Sequence, residues 1–459
     1  RGIIMEQVDS AAAVKSPFRL FTQRRFLPFF VTQFLGALND NLFKNALLVI
    51  VVSTAVAGSD SSTNFITNLA AGLFILPYFL FSTTAGQLAD RYDKALLIRR
   101  IKLTEILLMM AGCYALWLGD VPLMLGVLFL LGVQSAFFGP IKYSIIPQHL
   151  DSNELLAGNA QTGMGTFVSI LLGTLIGGWL VTVEQGPIYV GALAIVFAII
   201  GWLSSREIPD APGTVAAQQG KLNLNPLSET ARNFRLARQN PTVFYCIISI
   251  SWFWLFGGSF LTQVPNYAVT VLNGHPTLIS ILLAAFIVGV AIGSLLCHRV
   301  SKGEVEPGLV PVGALGLSVF AVDLFFTTSS YQAANPIVAA VLPSDFVSLS
   351  GGLHVMLDLM FIGMFGGMLI VPLYSMIQQR TQGDTRARVI SVNNIINALF
   401  MVTGALLGIL FLSVLSWTIP QFFLAVGVIN TVFLGTIFVL DPIFIQRFFA
   451  WISKAPSPD

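Results

Sequence analysis

Charge is what this sequence has least of. Only 10% of its 459 residues are Asp, Glu, Lys or Arg, the net charge is +2, and no acidic or basic tract occurs. Nothing therefore points to a nucleic-acid partner. Cysteine is also scarce: Cys113, Cys246 and Cys297 lie in apolar runs with neither CxxC nor Cys/His spacing. No disulfide and no metal site are expected. There is no phosphate loop and no nucleophile with a placed base, so neither a cofactor nor an enzymatic activity is expected. Residues 1–4 precede Met5 and are read as an addition, and residues 5–25 are too polar and basic for a cleaved signal peptide. The chain is expected to begin in the cytoplasm.

Apolar residues dominate instead, at 55% with a mean hydropathy of +0.80. Such a chain is a polytopic membrane protein. A bilayer core needs about 20 apolar residues per helix. The runs between polar breaks predict spans near 26–56, 65–88, 96–118, 122–146, 157–183 and 187–203, then 242–272, 277–298, 309–330, 353–377, 391–415 and 418–440. Lys and Arg collect in alternate loops, as they should on the cytoplasmic side. Arg91, Lys94, Arg99 and Arg100 follow span two, the run from Arg206 to Arg238 follows span six, and Arg380 to Arg388 follow span ten. The loops between, including "AGSDSSTN" and "LGDVP", carry neither residue. Both termini are predicted to be cytoplasmic.

The expected organisation is an N-terminal segment 1–25, a six-helix half 26–203, a cytoplasmic linker 204–241 with an amphipathic helix at 226–238, a second half 242–440 and a cytoplasmic tail 441–459. The halves echo one another. "FFGPIKYSIIP" ends span four and "LIVPLYSMIQ" ends span ten, placing Pro140 and Pro372 at equivalent bends. Two such halves describe an all-α major facilitator fold of twelve helices, with its substrate site between them near mid-membrane. "GQLADRYDKALLI", residues 86–98, resembles that superfamily's loop motif G-x-L-A-D-R-x-G-R-x-x-x-L. Gly86, Asp90, Arg91 and Lys94 match, whereas Asp93 stands where Gly is usual. Gly86 allows close helix approach, and Asp90 can accept bonds from a helix N-terminus across the boundary between halves. This set is predicted to gate the cytoplasmic face; a plain topological charge run would explain Arg91 and Lys94 but not Gly86 with Asp90.

Four stretches together resemble the bacterial lysophospholipid transporter family and the related transporter domains fused to 2-acylglycerophosphoethanolamine acyltransferases. They are "QFLGALNDNLFKNAL", "ADRYDKALLIRRIKLTEI", "FFGPIKYSIIP" and the run from "GMFGGMLIVPLYSMIQQR" to "TGALLG". The resemblance implies a bacterial inner-membrane location and flipping of lysophospholipids, chiefly lysophosphatidylethanolamine, to the cytoplasmic leaflet for reacylation. It also makes Asp40 the residue matching head-group recognition. No H-x-x-x-x-D acyltransferase motif occurs, so a separate cytoplasmic acyltransferase is the expected partner, with membrane lipids around both.

The polar residues inside spans carry alternatives. Asp40 and Lys44 share a helix face, beside Asn41 and Asn45 at the same spacing. Either the pair neutralises itself while the asparagines join neighbouring helices, or the face lines the cavity and meets the ligand's ammonium and phosphate. Lys142 either snorkels to the interface or binds phosphate. Glu105, Asp323, His354 and Asp358 are buried ionisable candidates for a proton or polar network. Arg386 and Arg388 read as topological and gating charges. Two other functions fit the same fold: a proton-coupled exporter of amphipathic solutes using Asp323 or Asp358, and a platform that docks an acyltransferase through residues 204–241.

Overall fold

Apolar runs of this length leave the backbone no hydrogen-bond partner in lipid except itself, and helices follow. The computed structural model describes residues 17–55, 60–223, 225–336 and 340–453. Residues 1–16, the start of the "AGSDSSTN" loop and the tail from Lys454 onward lie outside the described residues.

Helices α1 (Leu27–Ala55), α2 (Asp60–Arg91), α3 (Lys94–Leu118), α4 (Val121–His149), α5 (Leu155–Leu180) and α6 (Gly186–Arg206) come first. The short α7 (Val215–Gln219) and α8 (Pro226–Arg238) follow. Then come α9 (Pro241–Asn266), α10 (Thr277–Val300), α11 (Leu309–Ala334), the short α12 (Pro343–Ser348), α13 (Gly352–Arg380), α14 (Arg386–Gly408), α15 (Ile419–Leu440) and α16 (Ile443–Ser453). Single π-helical stretches prolong α9 to Val271 and α14 to Val414. Twelve helices, all but α7, α8, α12 and α16, are long and apolar enough to cross a membrane. Among the described residues no strand forms, only an isolated bridge between Gly274 and Val341. The fold is the all-α, twelve-span architecture that the hydropathy predicts.

Local signals set the boundaries. Asp120 and Asn240 cap α4 and α9 by accepting from the backbone N–H of Leu123 and Val243, each with Pro in the first turn. Asp93, the departure from the loop motif, caps α3 by accepting from Leu96 N–H at 2.9 Å and also accepts from Ala211 N–H at 3.0 Å. A glycine there would lose both contacts. The residues expected as a tail include α16, which Arg447 ties to Glu306 at 2.7 Å. That bonding raises the Arg447 pKa above its ordinary value.

Small residues set the closest helix contacts. On α5, Gly173 and Gly177 face the backbone of Leu38 and Leu42 on α1. On α10, Gly289 and Gly293 face Met360 and Met364 of α13, while Gly363 and Gly367 of α13 face Phe286 and Val290 in return. Two four-residue glycine spacings thus interlock. Helices α1 to α6 pack among themselves, as do α9 to α15, and the main seams between the sets are α2 against α14 and α5 against α10. The end of the bundle that carries the α2–α3 turn and α8 is the basic end; the opposite end has no Lys or Arg among its described connections and carries Asp120, Glu184 and Asp345, which makes it the acidic end.

Candidate functional site

A cavity of about 280 Å³ lies between the two sets of helices. Its charged groups all come from α1, α3 and α4: Asp40, Lys44, Lys102 and Lys142. The facing wall from α9, α13 and α14 is neutral, with Trp254, Tyr374, Asn394, Asn397 and Met401.

Asp40 and Lys44 are not an ion pair. Asp40 Oδ2 accepts from the Ser135 hydroxyl at 2.5 Å, and its Oδ1 is buried with no hydrogen-bond partner. Lys44 Nζ donates to Asn41 Oδ1 at 3.0 Å and lies 5.7 Å from the Phe74 ring centre. Asn41 shares this lining, but Asn45 does not. Its amide donates to Thr174 on α5 at 3.1 Å, joining the two helices. Lys142 donates to the Thr166 hydroxyl at 2.6 Å, and among the described residues no carboxylate lies within ion-pairing reach of it. One carboxylate oxygen, of Asp40, and two ammonium groups, of Lys44 and Lys142, therefore face the same cavity with no ion pair among the described residues.

Lys102 was not singled out by sequence reasoning. It pairs with Glu105 at 2.5 Å, both side chains buried. Glu105 also accepts from Gln134 at 2.6 Å and from Asn39 at 3.0 Å. Gly36 makes room for this, because a side chain there would collide with the Lys102 ammonium. The signal was the spacing of Lys102 and Glu105, three apart within an apolar run.

The cavity is closed toward the basic end. Tyr143 and Tyr374 stack at 4.0 Å with planes 5° apart. They belong to the two echoing segments and meet between the two sets of helices. Beneath them Gln378 donates to the Tyr143 carbonyl at 2.9 Å, and Asn159 donates to Gln378 Oε1 at 2.6 Å. Further out, Asp90 accepts from Ala387 N–H at 2.9 Å and Arg388 N–H at 3.1 Å, at the N-terminus of α14. Arg388 Nε adds a contact at 3.4 Å. Gly86 permits the approach: a Cβ there would sit 2.9 Å from the Ala387 carbonyl oxygen. Arg91 donates to the Gly220 carbonyl at 2.7 Å, and Lys94 is buried beside Asp90. Arg386 donates to the Thr381 carbonyl at 3.1 Å. Among the described residues, hydrogen bonds and ring stacks between the two sets reach no farther toward the acidic end than Phe167, midway along α5, which stacks on Trp254.

Asp323, His354 and Asp358 lie apart from the cavity, on α11 and α13 toward the acidic end. Glu105 belongs to the Lys102 network and not to this cluster.

A sequence profile described as Major Facilitator Superfamily matches residues 29–357. The chain is 26% identical to the lysophospholipid transporter LplT of Cronobacter sakazakii, over 83% of this chain and 87% of that one. It is also 26% identical to LplT of Photorhabdus laumondii, over 76% and 78%. Among solved structures it resembles the human organic anion transporter MFSD10, with a TM-score of 0.64 and 14% identity over 93% of this chain and 99% of that one. The Escherichia coli fucose:proton symporter FucP superposes with a TM-score of 0.59 at 13% identity over 97% and 100%.

Proposed function

The chain belongs to the Major Facilitator Superfamily, and we propose that it carries lysophospholipids, chiefly lysophosphatidylethanolamine, across the bacterial inner membrane to the cytoplasmic leaflet by alternating access. The observation that carries this reading is the separation of unpaired charge in the cavity. Asp40 offers a buried carboxylate oxygen with no partner, and Lys142 an ammonium group with no carboxylate. A zwitterionic head group supplies both missing partners, its ammonium for Asp40 and its phosphate for Lys142. Asn41 and Lys44 take the remaining phosphate or glycerol oxygens, while Asn45 fixes α1 against α5. The cavity's 280 Å³ holds a head group and leaves one acyl chain to the apolar wall of Phe74, Ile75 and Ile170.

In this reading residues 26–203 and 242–440 rock about the linker, and the basic end is cytoplasmic, which places both termini there. Gly86, Asp90, Arg91 and Lys94 hold that end shut. The protein is a carrier, and reacylation falls to a separate cytoplasmic acyltransferase.

The test is uptake into proteoliposomes of lysophosphatidylethanolamine and of lysophosphatidylglycerol, which has no ammonium group. Stranding one member of a desolvated charge pair costs about 2–5 kcal/mol. Asp40→Ala is therefore expected to lower uptake of the first lipid by about 30-fold or more while sparing the second. Equal loss for both lipids, or full recovery in Asp40→Asn with Lys44→Gln, would refute the assignment.

A further inference from the structure

The side chain of Asp358 is 1% exposed, and neither of its oxygens has a hydrogen-bond partner. Its Oδ1 faces His354 Nε2 at 3.6 Å, and the same nitrogen lies 3.0 Å from Asp323 Oδ2. One donor atom from each of the three residues lies within 4.8 Å of the others. We propose that Asp323, His354 and Asp358 form a binding site for a divalent transition cation of the zinc or manganese class, clamping α11 to α13 near the acidic end of the bundle.

The geometry suits such an ion. Bonds of about 2.0–2.2 Å from a tetrahedral metal to imidazole nitrogen and carboxylate oxygen put the ligand atoms roughly 3.4 Å apart. The two observed separations, 3.0 and 3.6 Å, lie on either side of that value. One imidazole with two carboxylates and no thiolate favours zinc, manganese or ferrous iron; it disfavours cuprous ion, which wants sulfur, and calcium or magnesium, which want oxygen throughout. His354, 54% exposed, provides the way in. A cationic His354 between two carboxylates is the competing account, but it leaves Asp358 at 3.6 Å, beyond hydrogen-bonding distance. The expectation of no metal site rested on cysteine, which this cluster does not use. The site is independent of the transport reading, since none of its residues lines the cavity.

The experiment is zinc titration by calorimetry of the chelator-washed full-length protein in nanodiscs, with bound metal counted after desalting. One zinc per chain is expected. Losing even an outer partner of a metal site costs about 10–100-fold in affinity, so His354→Gln and Asp358→Asn should each weaken binding by at least that much. His275→Gln, which removes a histidine elsewhere, should leave it intact. Cobalt in place of zinc should give visible absorption bands that vanish in His354→Gln. Because His354 is on the surface, its replacement leaves the fold in place. No binding by the folded wild type, or wild-type affinity in His354→Gln, would overturn the proposal.

Discussion

Glu105→Gln keeps the shape of the side chain and removes its charge, which makes it the sharpest probe of the network behind the cavity. Glu105 accepts from Lys102 and Gln134 on Oε2, at 2.5 and 2.6 Å, and from Asn39 on Oε1 at 3.0 Å. A glutamine must turn its NH2 toward at least one of these donors, whichever way it is placed. Lys102 meanwhile keeps a buried charge with no carboxylate beside it. Removing one member of a buried pair costs about 3–5 kcal/mol, whereas removing both charges together is close to neutral. Glu105→Gln should therefore lose about 3–5 kcal/mol of unfolding free energy. Lys102→Met with Glu105→Gln should recover most of it, since the unbranched Met follows the lysine stem across Gly36. Denaturant unfolding in mild detergent, followed by tryptophan fluorescence across the full double-mutant cycle, measures both values. A single variant as stable as wild type, or a double variant whose loss is the sum of the singles, would show that the pair contributes nothing through its charge.

Other expectations follow from the same geometry. Lys142→Ala should weaken uptake of lysophosphatidylethanolamine and lysophosphatidylglycerol alike, by about tenfold or more, because both carry the phosphate that a charge-assisted bond holds; a loss confined to one lipid counts against it. Asp90→Asn should slow turnover while leaving half-saturation nearly unchanged, because Asp90 touches α14 and not the cargo. Spin-label distances across the basic end should show that end opening more often, and unchanged populations would contradict the gating role. Diacyl phosphatidylethanolamine should not be carried at a rate comparable to its one-chain relative, since the second chain has no wall to lie on; competition and direct uptake assays decide this.

The spans were legible because lipid makes hydropathy and helix nearly the same signal. The amphipathic pattern at 226–238 became α8, Pro226–Arg238. Asp90 and Gly86 were legible too, because their chemistry needs only a helix end and a close backbone. Less visible was what depends on a partner distant in sequence. The spacing of Lys102 and Glu105 hints at a pair, but that Lys102 is buried instead of joining Arg99 and Arg100 at the surface shows only once Gly36 on another helix is seen to clear its path. Asn45 has the same spacing from Asn41 as Lys44 from Asp40, and only the position of Thr174 turns it away from the cavity. The stack of Tyr143 on Tyr374 was within reach, since both follow the repeated bend. A repeat says that two segments are related, however, and not that rings three residues after one bend and two after the other touch.

The one-sided distribution of charge in the cavity has a mechanical consequence. Every ionic group that faces the cavity rides on α1, α3 or α4, and the wall from α9, α13 and α14 presents only neutral side chains. On the proposed reading, a bound head group would be a passenger of the first set of helices. As the second set swung past, the head group would slide along a surface with which it exchanges weak contacts, and no strong grip would have to be broken and re-formed midway. Cargo choice and the swinging motion are then inherited separately. A chimera carrying the second set from a distant relative should keep the head-group preference of the first.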